Sequence, residues 1–130
     1  MHGAIGWRKG AAAFALVIIE IGKPATASDA AAGAKVFATE CAECHSVREG
    51  KDKKGPSLFG IVGSKAAQRE GWVYSDALRS ANLTWNQATL SNYIANPKML
   101  VPGGKMKYEG LSDVKQREDL VAWLEGAAKR

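Results

Sequence analysis

The chain has 130 residues, the length of one domain, and is 46% hydrophobic and 24% charged, the proportions of an ordinary globular protein. Its formal charge is +5 at pH 7, too mild for the strongly basic stripe that marks nucleic-acid binding. The charge is compatible with docking on an acidic protein surface.

The N-terminus reads as an export signal. Arg8 and Lys9 form a basic region, residues 11–19 an apolar run, and Ala25-Thr26-Ala27 a small-residue cleavage site. The expectation is a cleaved secretory signal peptide over residues 1–27, with the functional domain over 28–130. A membrane anchor needs about 20 predominantly apolar residues, and Glu20, Gly22 and Lys23 interrupt the run too early. Removing residues 1–27 takes away three basic residues and one acidic one and leaves a net charge of +3. The destination is the periplasm, an oxidising compartment where two neighbouring thiols form a disulfide unless something else consumes them.

Ser28 or Asp29 is placed to cap a helix that runs through residues 30–38 toward Cys41. Gly33 and Phe37 share one of its faces. A glycine inside a helix costs about 1 kcal/mol relative to alanine, so its presence points either to a second helix pressed close or to a tolerated surface position. Next comes Cys41-Ala42-Glu43-Cys44-His45, the local signature of covalent haem c attachment. Three residues apart, the two thiols lie on one side of a helical turn and reach the two vinyl groups of one porphyrin. His45, beside that turn, is the candidate proximal iron ligand. A structural zinc site needs four Cys or His ligands, and only His2 is left to complete one. A thioredoxin-like pair needs strands alternating with helices, a pattern this chain lacks.

Between Val47 and Trp72 periodicity vanishes into a stretch rich in Gly, Lys and Ser, with apolar Leu58, Phe59, Ile61 and Val62 embedded in it. Irregular segments beyond about 12–15 residues are functional or disordered. The apolar residues argue for order, with a porphyrin as the surface on which they pack. Thr84-Trp85-Asn86-Gln87 matches a capping box, ahead of a helix that carries Leu90, Tyr93 and Ile94 on one face and ends at Asn96-Pro97. A last helix starts near Ser112 or Asp113, with Val114, Val121 and Leu124 on one stripe and Leu120 and Trp123 beside it. No alternating run is long enough for a sheet, so the fold class is all-α with long loops.

A second axial ligand has to come from a short inventory. Without His2 the chain has no second histidine, which leaves Met99 and Met106. Met99 reads as a gap-filler in the core. Met106 follows Val101-Pro102-Gly103-Gly104-Lys105, a stiff turn whose glycines let backbone approach a flat ligand, and is the favoured ligand.

Over residues 29–128 the chain resembles class I cytochrome c of the short mitochondrial and bacterial type. Gly33 and Phe37, the Cys41 to His45 motif, Gly55-Pro56-Ser57-Leu58, Tyr74-Ser75-Asp76-Ala77, Leu83-Thr84-Trp85, Thr89-Leu90, Tyr93, Asn96-Pro97-Lys98, Pro102-Gly103-Gly104-Lys105-Met106 and Arg117-Glu118-Asp119-Leu120 carry the resemblance in order. It implies three main helices plus short helices and long loops around one haem c, attached through Cys41 and Cys44. It further implies His45 and Met106 as axial ligands, with the Pro56 carbonyl accepting from His45. Tyr93 would hydrogen-bond near the Met106 sulfur, Tyr74 and Trp85 would donate to a haem propionate, and Gly33 and Phe37 would pack on Leu120 and Trp123. The chain departs from the family at Ser64, where relatives carry an arginine near the propionate, at Leu78, where an asparagine joins the buried polar network, and at Gly104, where a threonine contacts a propionate.

The function so implied is that of a soluble periplasmic electron carrier of the respiratory chain, a monomer and not an enzyme. Its partners would be a cytochrome bc-type complex, an oxidase, a reaction centre, a peroxidase or a periplasmic dehydrogenase. Lys35, Lys53, Lys98 and Lys105 match positions around the exposed haem edge, where positive charge steers association. Glu40 stands where relatives carry a lysine and weakens that ring. The alternative is an open-site haem protein, peroxidase-like or gas-binding.

Overall fold

The computed structural model describes residues 27–129 together with Met1, Gly3 and Gly10. The expected signal peptide, over residues 1–27, otherwise lies outside the described residues. Among the described residues five helices follow in chain order: α1 Ala30–Glu40, α2 Asp76–Ser80, α3 Gln87–Ala95, α4 Pro97–Leu100 and α5 Val114–Ala127. The three longer ones are α1, α3 and α5. Among the described residues there is no strand, only an isolated antiparallel bridge between Lys65 and Thr84. No described helix is long and apolar enough to cross a membrane.

The core is built where α1 crosses α5. Asp29 caps α1, its carboxylate accepting the Ala31 and Ala32 N–H groups at 2.9 and 3.1 Å. Asp113 caps α5 by accepting from Gln116 N at 2.9 Å. At the crossing a methyl on Gly33 would lie 1.9 Å from the Asp119 carbonyl oxygen and 2.8 Å from Trp123 Cβ. The glycine is therefore a contact point between helices. One turn on, the Phe37 and Trp123 rings pack with centroids 4.7 Å apart and a tilt of 37°, beside a fully buried Leu120.

Asp119 fastens the same crossing with charge. Its buried carboxylate accepts the Asp29 N–H at 2.6 Å and is paired with Lys115 one turn earlier. The Asp29 N–H, and then the Lys115 ammonium, hold its carboxyl below the ordinary aspartate range. Because the folded pKa is depressed, the stabilisation is complete above the unfolded value of about 3.9 and disappears as pH falls through the folded value. Asp119→Asn is expected to be less stable than the parent at pH 7 and to lose less stability between pH 5 and pH 2. Urea unfolding across that range checks it, and parallel pH profiles would contradict the assignment.

Three local expectations are corrected. Thr84 does not cap α3: it lies in the backbone bridge to Lys65, framed by Trp85 N to Ser64 O at 2.8 Å and Ala66 N to Leu83 O at 2.9 Å, and the helix starts only at Gln87. Asn86 caps instead, accepting from Thr89 N at 2.8 Å, and Gln87 donates to Glu125 at 2.5 Å. Val114 is 57% exposed, since it opens α5 ahead of the buried Leu120, Val121 and Leu124. Met99 fills no core gap. It is 76% exposed on the short helix α4, which Asn96 caps by accepting from its N–H at 3.1 Å.

The long irregular segment is ordered by its own polar network. Leu58 N bonds Ser46 O at 2.8 Å, Ser57 Oγ donates to Arg48 O at 2.5 Å, and Gly60 N reaches Ala128 O at 2.6 Å. Asp52 accepts from Ser57 N at 2.8 Å and pairs with Arg69 at 2.6 Å, joining the two halves of the loop. Leu58, Ile61 and Val62 pack against the Phe37, Leu120 and Leu124 cluster. Helix side chains thus supply a packing surface in addition to the porphyrin expected from the sequence. A second cluster unites Ala66, Trp85, Leu90 and Val121, with Leu78, Leu83, Tyr93 and Ile94 against it.

Candidate functional site

The attachment motif continues α1 as a tight turn. Cys41 N and Ala42 N both bond Phe37 O at 2.9 Å, and Cys44 N and His45 N bond Cys41 O at 3.1 and 2.9 Å. One turn therefore carries both sulfurs and the imidazole. Before attachment, burial, with Glu40 and Cys44 adding, pushes the Cys41 thiol up to about 11.

His45 is held by the loop that follows. Its Nδ1 lies 2.7 Å from the Pro56 carbonyl oxygen. A carbonyl only accepts, so Nδ1 carries the hydrogen and Nε2 presents a lone pair. Burial lowers the imidazole pKa, partly offset by the Pro56 bond, and the nearby Lys53 charge lowers it further. The ring is neutral at pH 7 and ready to bind a metal through Nε2. Gly55 forms the wall behind it: a Cβ there would lie 2.4 Å from His45 Cε1, and Gly55 N is bonded to Cys44 O at 2.8 Å. The residue before Pro56 is glycine because the ring occupies the space of a side chain.

These residues fit a haem. Two thiols on one turn, a neutral histidine with Nε2 free of its orienting bond, and half-buried Val47, Leu58, Ile61, Val62 and Ile94 nearby make an apolar site with one nitrogen donor. Bound there, the haem would supply a ferrous/ferric couple.

The other expected residues lie on different elements. Met106 is half-buried in an irregular segment between Val101, 3% exposed, and Tyr108. Gly104 N bonds Val101 O at 3.1 Å, and Gly103 has φ +84°, the left-handed conformation that favours glycine. Trp85, 5% exposed, packs against Tyr93 with the rings tilted by 49° and their centroids 5.0 Å apart. Burial raises the Tyr93 phenol above its ordinary range. Tyr74 stands beside the Arg69 guanidinium. At the departures, Ser64 Oγ donates to Ile61 O at 2.7 Å, Leu78 packs against the Trp85 cluster, and a Cβ on Gly104 would lie 3.2 Å from Val101 O.

Two of the expected docking lysines are engaged within the protein. Lys53 donates to the Ala42 carbonyl, and Lys98 pairs with Glu109 at 2.5 Å; Lys35 and Lys105 are exposed. Sequence reasoning missed Tyr108, whose hydroxyl donates to Glu40 at 2.6 Å. No periodic pattern links residues 68 positions apart.

Fold and site together define a c-type haem protein with a single attachment turn on a small helical domain. The family model described as Cytochrome c matches residues 30–128. The chain is 44% identical over 98 residues to a cytochrome c of Gibberella zeae, covering 75% of this chain and 92% of that one. It is 42% identical over 102 residues to a cytochrome c of Stellaria longipes, covering 78% and 94%. The solved structure of cytochrome cH from Methylobacterium extorquens aligns with TM-score 0.70 and 46% identity over 75% of this chain and 98% of that one. The chain belongs to the cytochrome c family. Its cofactor is haem c, bound covalently through Cys41 and Cys44, and it is an electron carrier that works with redox partner proteins.

Proposed function

We propose that residues 28–130 form a soluble periplasmic electron carrier whose haem iron is held by His45 and Met106 in both oxidation states. Residues 1–27 act as its secretory signal. The observation that carries the ligation is the contrast between the two thioethers: Met106 is half-buried, and Met99 is 76% exposed. A soft sulfur opposite a neutral imidazole favours ferrous over ferric iron and raises the potential. With both axial positions filled by side chains, no substrate coordinates and little reorganises as an electron passes.

Around that centre Pro56 fixes the His45 tautomer, Tyr93 donates near the sulfur, and Tyr74 and Trp85 donate to a propionate. Export is supported by the sequence of residues 1–27 and by the likeness to the bacterial cytochrome cH. Donor and acceptor are drawn from a cytochrome bc-type complex, an oxidase, a reaction centre, a peroxidase or a periplasmic dehydrogenase. Glu40, and the pairing of Lys98 with Glu109, leave a weak positive ring, so steering toward acidic partners is modest.

The test is carbon monoxide binding to the reduced holoprotein at neutral pH. A six-coordinate carrier leaves the ferrous spectrum unchanged within minutes under saturating gas. Rapid conversion to the carbonmonoxy form would instead establish an open-site haem protein.

A further inference from the structure

We propose that Glu40 and Tyr108 are positioning residues for Met106, forming a latch that ties the sulfur-bearing segment to the haem-attachment turn. The proposal rests on Met106 being the distal ligand. The Tyr108 hydroxyl donates to the Glu40 carboxylate at 2.6 Å across 68 residues of sequence. Glu40 is the last residue of α1 and immediately precedes Cys41. Tyr108 follows Met106 by two residues. The hydrogen bond therefore closes a short path from one haem-linking cysteine to the distal sulfur.

The segment needs such a tie. Over residues 101–108 the described residues show two backbone hydrogen bonds, Val101 N to Pro97 O at 3.0 Å and Gly104 N to Val101 O at 3.1 Å, and none from Lys105 to Tyr108. Beyond Tyr108 the chain is fastened firmly, but to other elements. Glu109 pairs with Lys98 of α4, Leu111 N bonds Ile94 O of α3 at 2.9 Å, and Gly110 packs so tightly that a Cβ would lie 2.2 Å from Ala95 O. Arg117 of α5 adds bonds to Leu111 O at 2.7 Å and Ser91 Oγ at 3.2 Å, so this end is anchored to α3, α4 and α5 while residues 102–107 could shift about it away from the attachment turn. The contact between Tyr108 and Glu40 reaches across to α1 and opposes that shift. Its acceptor is a carboxylate, and hydrogen bonds to carboxylates are shorter and stronger than those between neutral groups. Glu40 thus has a structural task at a position where the sequence reading saw only a lost docking charge.

Imidazole titration of the ferric holoprotein, followed through loss of the near-infrared sulfur-to-iron band, tests the latch. Tyr108→Phe and Glu40→Ala are each expected to raise the apparent imidazole affinity about tenfold, and the double variant no further than either single. Glu40→Gln, which keeps an acceptor, is expected to have a smaller effect. Amide exchange at residues 105–108 should speed up in Tyr108→Phe while that of residues 33–37 stays unchanged, a local signature that general destabilisation does not give. Single variants with parental imidazole affinity, or effects that add in the double, would overturn the latch and leave Met106 ligation standing. Absence of the sulfur-to-iron band in the parent protein would overturn both.

Discussion

Gly33→Ala is expected to destabilise the holoprotein by about 3 kcal/mol, at the upper end of what overpacking a core costs. The added methyl would sit 1.9 Å from the Asp119 carbonyl oxygen and 2.5 Å from its carbon. Those atoms belong to the backbone of α5, so no side-chain rotation relieves the contact and the helices must move apart. Separation also weakens the packing of Phe37 on Trp123 and the bond from Asp29 N to Asp119. In a domain of this size such a loss lowers the melting temperature by about 12–20 °C. Gly126→Ala is the control. It is also in a helix, a Cβ there meets nothing within 4 Å, and the gain in helix propensity makes it neutral or slightly stabilising. Thermal unfolding of the two variants checks the account, and a Gly33→Ala loss below about 1 kcal/mol would place the glycine outside the crossing.

Met106→Ala is expected to leave the fold and the covalent haem in place and to open the sixth coordination position. Only the half-buried thioether is removed, while the attachment turn, the bond from His45 to Pro56 and the crossing of α1 and α5 are built from other residues. Loss of the soft donor removes its preference for ferrous iron, so the midpoint potential falls, by about 0.1 V or more within the roughly 0.8 V that axial ligands span. Carbon monoxide then binds the reduced variant readily. Met99→Ala should change neither property, because that side chain is exposed on α4. Redox titration of both variants separates the two methionines.

What could be read from the sequence was local or carried by the family resemblance. The caps at Asp29 and Asp113 lie beside the helices they start, and the attachment motif is contiguous, so neighbours along the chain define them. The pairing of His45 with Pro56 and of Gly33 with α5 came from the resemblance. Spacing alone left the glycine open between a helix contact and a surface site. The misreadings concern where elements begin and which way they face, which residue type and spacing leave open. Thr84 has the chemistry of a cap, but it lies in the backbone bridge to Lys65, the helix starts only at Gln87, and Asn86 takes the role. Met99 was assigned to the core on residue type, and the short helix α4 turns it to solvent. The contacts of Tyr108 with Glu40 and of Arg69 with Asp52 join exposed or half-exposed polar residues far apart in sequence. Neither hydrophobic period nor turn chemistry marks such pairs.

The central claim is a haem closed on both sides, by His45 and by Met106. The most direct measurement is the near-infrared absorption of the ferric protein at neutral pH, recorded for the parent chain, Met106→Ala and Met99→Ala. The account predicts a weak sulfur-to-iron band in the parent and in Met99→Ala, and its loss in Met106→Ala. A parent protein without the band, or a band that survives in Met106→Ala and vanishes in Met99→Ala, would contradict it.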